Sequence, residues 1–249
     1  MPASLGGRAR PIRVALAWRP EWPLVLVTVL LWMAVVTVHS GPAGSTVHTG
    51  HHAGIGVDRT PSLGAAAALW ALMATAMMLP TTLPAARHVG LNSLRRRQWR
   101  AMAVYVAAYL AVWMAFGVPA VTLARMAGAA GVESRWLVPG TLALAAGWQL
   151  TPWKRHALFA CRRTVPLPLT GFRADLACAR FGVVQAGRCM VSCWPLMLLM
   201  SVAGQHNLMG MTLLAAIVLA EERNAISRRL IAPIAGMLIV AATGVVLIG

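Results

Sequence analysis

Long apolar runs separated by arginine-rich loops constrain this chain more than any other feature. Seven such runs can be read, at 22–38, 63–86, 101–126, 136–150, 181–203, 208–220 and 230–249. About twenty apolar residues match the hydrocarbon thickness of a bilayer when helical. Backbone in lipid must satisfy its own hydrogen bonds, which a helix does within one segment. The fold expected is therefore all-α: a polytopic transmembrane helical bundle of about seven spans. With 59% hydrophobic and only 11% charged residues, the chain falls in the membrane class. The 208–220 run, with thirteen residues, is short for a span.

The basic residues decide its status and the orientation. Lys and Arg number four in the tail, five in 87–100, six in 151–180 and three in 221–229. The alternate loops hold only Arg59, Arg125 and Arg135. Cytoplasmic loops carry excess Lys and Arg. The alternation predicts the N-terminus in and the C-terminus out, and counts 208–220 as a span. The organisation expected is a basic cytoplasmic tail, 1–21, and one transmembrane domain, 22–249. That domain has an external His-rich loop, 39–62, and a basic cytoplasmic loop, 151–180, with a short interfacial helix. The first apolar run has no small-residue cleavage site after it and is read as a retained span. The third is expected to break near Gly117 and Pro119. The net charge of +16 thus sets topology and meets anionic lipid, and no nucleic-acid partner is expected.

Within the fifth run, Cys189, Cys193 and Met197 recur every four residues and share one helix face, with Met200 close by. Arg188 lies beside the first thiol, and a charge at membrane depth is costly. In the second run Met73 and Met77 share a face, with Met78 adjacent. Pro80 and Pro84 bend that run and free carbonyls. Cys189 and Met77 lie equally far from the inner ends of their runs, so the two helices are expected to pack with their sulfurs together. Soft sulfur ligands suit monovalent copper. The metal reading takes Cys189, Cys193, Met197, Met77 and Met78 as ligands, with Arg188 offsetting thiolate charge. Arg188 is expected to face the interior, bonding freed carbonyls near Pro80, Gln149 or Gln185. On the outer side, His39, His48, His51, His52 and His206 would capture or release the ion.

Ala76-Met-Met-Leu-Pro80, Gln149-Leu-Thr-Pro-Trp-Lys154, Cys161-Arg162, Cys189 with Cys193-Trp194, Leu196-Met197, Asn207-Leu208-Met209 and the Glu221 region follow one another over about residues 65 to 240. In order and spacing they resemble the bacterial family of predicted metal-binding integral membrane proteins, catalogued as a domain of unknown function. The resemblance implies a membrane fold and metal, and adds Cys161 and Glu221 to the residues of interest. This chain departs from the family pattern at Ala157 and Ser192, where cysteines are usual, and at Val191, where glycine is usual.

Three functions compete. One is metal handling, most plausibly copper binding or delivery to a copper-dependent membrane enzyme. Another is a non-catalytic structural or accessory subunit of a larger membrane complex, since Cys and Met also fill apolar cores. The third, thiol–disulfide chemistry, is disfavoured by two cysteines four apart in a regular helix. No Ser-His-Asp set, phosphate loop or zinc-protease motif marks an enzyme.

Overall fold

The computed structural model describes residues 19–40, 62–131, 134–168, 171–202, 208–223 and 227–248. Eight helices account for most of them: α1 (Trp22–Ser40), α2 (Leu63–Leu91), α3 (Gln98–Ala129), α4 (Ser134–Gln149), α5 (Pro152–Cys161), α6 (Phe172–Val202), α7 (Leu208–Arg223) and α8 (Ser227–Ile248). No strand occurs among the described residues, so the all-α expectation holds. Three helices, α2, α3 and α6, are long and apolar enough to cross a membrane. Residues 22–38 and 231–244 form shorter apolar helices. At 16 residues each, α4 and α7 fall short of a straight span. Length and composition therefore give three clear spans rather than seven.

Local signals set the helix starts. Ser62 Oγ accepts the Ala65 N–H at 3.2 Å and caps α2. In the Thr151-Pro152 pair, Thr151 accepts the Lys154 N–H and the proline occupies the first turn, where its missing N–H costs nothing. That pair starts α5, the short helix expected within the basic 151–180 loop.

In the interior α6 is central, contacting α2, α3, α4, α5 and α7. The proline-freed carbonyls explain part of the packing. Pro80 leaves the Ala76 carbonyl without its helical donor, and Trp32 Nε1 of α1 supplies one at 3.0 Å. Pro195 does the same to Val191, whose carbonyl accepts from Trp148 Nε1 of α4 at 2.9 Å. Pro84 frees the Pro80 carbonyl, and Arg223 of α7 reaches it at 3.5 Å. Each freed carbonyl is met from a neighbouring helix, as an apolar surrounding requires.

The expected break near Gly117 and Pro119 does not occur, and α3 runs through both. Gly117 has a different purpose. A Cβ there would lie 1.7 Å from Trp70 Nε1, so the missing side chain makes room for the Trp70 indole. The buried Trp70 donates to the Trp113 carbonyl at 3.3 Å.

Several basic loops meet at one end of the bundle. Asp175, in the first turn of α6, pairs with Arg97 and with Arg100, the latter at 2.7 Å. A carboxylate there also complements the helix dipole. Arg87, near the end of α2, lies 3.7 Å from Glu21 before α1.

Gly182 marks the closest approach of α6 to α3: a Cβ there would lie 2.4 Å from the Tyr105 carbonyl oxygen. Backbone cannot yield as a flexible side chain can. Gly182→Ala is expected to cost about 1–3 kcal/mol through overpacking, read as a lower thermal midpoint in detergent. Gly187→Ala, with open space at its Cβ position, should not lower it.

Candidate metal centre

The i, i+4 spacing on α6 puts the Cys189 and Cys193 sulfurs 3.9 Å apart, both buried and unbridged. Cys193 donates to the Cys189 carbonyl at 3.0 Å, and Ser192 Oγ donates to the same carbonyl at 2.9 Å. Cys189 instead donates outward, to Glu222 Oε1 of α7 at 3.0 Å. The Tyr109 hydroxyl of α3, in the same buried core cluster as Cys189, lies 3.3 Å from Thr81 Oγ1 of α2. Helices α6 and α7 thus meet at one thiol.

Around this group the core is sulfur-rich. Met73, Met77, Met78, Met197, Met200 and Met211 belong to the same buried cluster as both cysteines. Cys189, Cys193, Met197, Met77 and Met78 all belong to one large buried core cluster, and α2 and α6 touch. Among the described residues, no three His, Cys, Asp or Glu side chains stand close enough to hold a metal ion. Two thiols with thioethers remain the available soft set. A thiolate–metal bond of about 2.3 Å allows two sulfurs to lie up to about 4.6 Å apart on one ion, and the observed spacing falls within that limit.

Arg188 takes a partner other than those expected. Its Nη1 donates to the Ala160 carbonyl at 2.9 Å, at the C-terminal end of α5. A helix C-terminus presents unpaired carbonyls and partial negative charge, so a guanidinium is stabilised there. The neighbouring Gln185 Nε2 donates to the Cys161 carbonyl. Cys161 itself is half-buried and packs against the sulfur cluster. Burial pushes its thiol up, and Glu222 and Cys193 act in the same direction; Arg188 and Arg162 pull the other way. The field of Arg188 thus falls on Cys161.

Glu221 has a structural partner. Its Oε2 lies 2.8 Å from Lys154 Nζ, and Gln149 Nε2 donates to its Oε1 at 2.9 Å. Both ionic side chains are at most 2% exposed. The pair ties α5 to α7, with Gln149 joining from the end of α4. The outer histidines are not part of this picture. His48, His51, His52 and His206 lie outside the described residues, as does the side chain of His39.

Reasoning from sequence overlooked Glu222, Thr81 and Tyr109. The available signal was the Glu221-Glu222 pair: adjacent helical residues point about 100° apart, so one can meet a lysine while its neighbour meets a thiol.

A family model described as copper chaperone (PpoB2) matches residues 67–246, from α2 into α8. No curated protein and no solved structure matches the chain. The expected kinship with metal-binding proteins is met at the coarser level of a copper-related family.

Removing one member of a buried ion pair leaves a bare charge in low dielectric, which typically costs about 3–5 kcal/mol. Lys154→Met is expected to lose stability on that scale in a detergent-denaturation series. The double change Lys154→Met with Glu221→Gln should recover much of the loss, because no unpaired charge remains.

Proposed function

The chain belongs to a copper chaperone family, and from that premise we propose that it is a multi-pass membrane protein holding cuprous copper as cargo for a copper-dependent partner. The observation that carries the reading is the buried pair of Cys189 and Cys193, 3.9 Å apart in a core cluster that also holds Met77, Met78 and Met197. Thiolates and thioethers select a soft monovalent ion over hard cations. Cys189 and Cys193 are the anionic ligands, and Met197, Met77 and Met78 supply neutral sulfur. Thioethers bind without adding charge, so a mixed set can hold the ion and still yield it to a thiolate-rich acceptor.

Binding requires the thiols to lose their protons. Glu222, which already accepts the Cys189 hydrogen bond, is the nearest group to receive one. The residual charge of a two-thiolate cuprous site is about −1, and Arg188 and Arg162 are the nearby cations that act on the adjoining Cys161. His39, His48, His51, His52 and His206 serve in this reading as an outer capture or release surface.

The topology proposed is seven spans, the N-terminus in and the C-terminus out, with tail and transmembrane domain divided at residue 21. The eighteen-to-three division of basic residues between alternate loops supports it. Shorter helices such as α4 and α7 would then cross with their ends in the interface. A reporter fused after Gly249 should be active only on the periplasmic side; cytoplasmic activity would reject this topology.

Copper content tests the cargo. The full chain, purified under reducing conditions from copper-supplemented cells, should carry copper. The Cys189→Ser and Cys193→Ser double variant keeps side-chain size nearly constant and should lose nearly all of it while still inserting in the membrane. A parent that purifies without copper would instead favour an accessory subunit with a sulfur-filled core.

A further inference from the structure

A cavity of about 310 Å³ opens beside Cys161, between α2, α6 and the C-terminal ends of α5 and α7. Its lining includes Cys161, Arg162, Arg163, Arg223, Gln185 and Glu222. The volume lies at the small end of the range of small-molecule sites. We propose that this cavity receives cuprous copper already bound to a small anionic thiol, of the amino-acid or peptide class. The proposal rests on the copper-chaperone reading and specifies the form in which the cargo arrives.

Each chemical feature of that ligand answers a group in the wall. Three arginines against one carboxylate favour an anionic ligand, and guanidinium forks match carboxylates in particular. Arg223 spends one N–H on the Pro80 carbonyl. A guanidinium has five N–H donors, so it can still bind an anion, as can the exposed Arg163. Gln185 is 8% exposed and its Oε1 has no hydrogen-bond partner. An unpaired buried acceptor is costly, and a ligand carrying an N–H donor would satisfy it. Cys161 supplies the thiol for exchange. A molecule with carboxylate, N–H and thiolate together is a thiol amino acid or a short peptide thiol.

The cavity also leads to the buried thiols. Glu222 lines it and accepts the hydrogen bond of Cys189 at 3.0 Å. Cys161 packs against the cluster that contains Cys189 and Cys193. Transfer is then a ligand exchange. The copper–sulfur bond to the carrier breaks as one to Cys161 forms, and the Cys161 proton leaves on the departing thiol. Copper stays monovalent, and no oxidant or reductant takes part.

The test uses the full chain in detergent and two probes. S-methylglutathione keeps the carboxylates and amide N–H but cannot bind copper through a thiolate. It should bind the parent, and Arg163→Glu and Gln185→Leu should each weaken it about tenfold. Arg163 is exposed, so its variant is expected to fold. The second probe compares uptake from the glutathione–cuprous complex with uptake from acetonitrile-held cuprous ion. The parent should prefer the glutathione complex, and Arg163→Glu should reduce that preference about tenfold. No binding of S-methylglutathione to the parent, or binding to both variants as tight as to the parent, overturns the proposal. Uptake from both copper sources without preference overturns it and leaves the copper reading standing. No uptake from either source overturns the copper reading and the proposal with it.

Discussion

Lys154 and Glu221 form an ion pair almost wholly closed to solvent, and the placement of the candidate site depends on it. Both charges had to leave water, which is costly unless geometry and further hydrogen bonds compensate. Here the contact is 2.8 Å, and Gln149 satisfies the second carboxylate oxygen. The pair fixes α5, a ten-residue helix with little apolar face of its own, against α7. Once α5 is fixed, its C-terminal carbonyls are in reach of Arg188 and Gln185 on α6. Cys161 is thereby held beside the sulfur cluster. An ion pair tying together the ends of short helices thus reinforces the packing of α5 on α6 that holds a third thiol beside the cluster.

A second constraint is the need to satisfy every backbone carbonyl in an apolar surrounding. The prolines of α2 and α6 each cost one helical hydrogen bond. Tryptophan N–H groups from α1 and α4 take up two of the freed carbonyls, and Arg223 takes a third. These contacts are directional, unlike lipid-facing apolar packing, and select which helices neighbour one another. The result is that α2 and α6, which carry the methionine and cysteine stripes, are held from opposite flanks and meet in a common interior. Glycines at 117 and 182 separately permit the close approach of α2 and α6 to α3.

The chemistry of the interior then follows from the division of labour between two adjacent glutamates. Glu221 is neutralised by a lysine and is structural, whereas Glu222 accepts from a thiol and faces the cavity. Glu222 thus meets Cys189, while Met77, Met78 and Met197 belong to the same buried core cluster as both thiols. The proposed cuprous site would take its anionic ligands and proton acceptor from the first group and its neutral sulfur from the second. Ser192 is occupied in bonding the Cys189 carbonyl, so in this chain it stiffens the helix turn that carries both thiols.

The sequence by itself determined the helical elements, the sulfur stripes and the alternation of charge. All three are local: apolar run length, the i, i+4 repeat and loop composition are read within one segment. It also placed a short helix within 151–180, while the Thr151-Pro152 cap that starts it was read only in the structure. Only the tertiary structure decided that Arg188 bonds Ala160 rather than a carbonyl near Pro80, Gln149 or Gln185, that Gly117 accommodates Trp70 rather than breaking α3, and that Glu222 rather than Glu221 meets the thiols. Hydropathy cannot fix such choices, because in lipid every apolar face is nearly equivalent and lateral order comes from close packing and interhelical hydrogen bonds. Those depend on rotations of about 100° between adjacent residues, and the rotation of each helix is set by its neighbours.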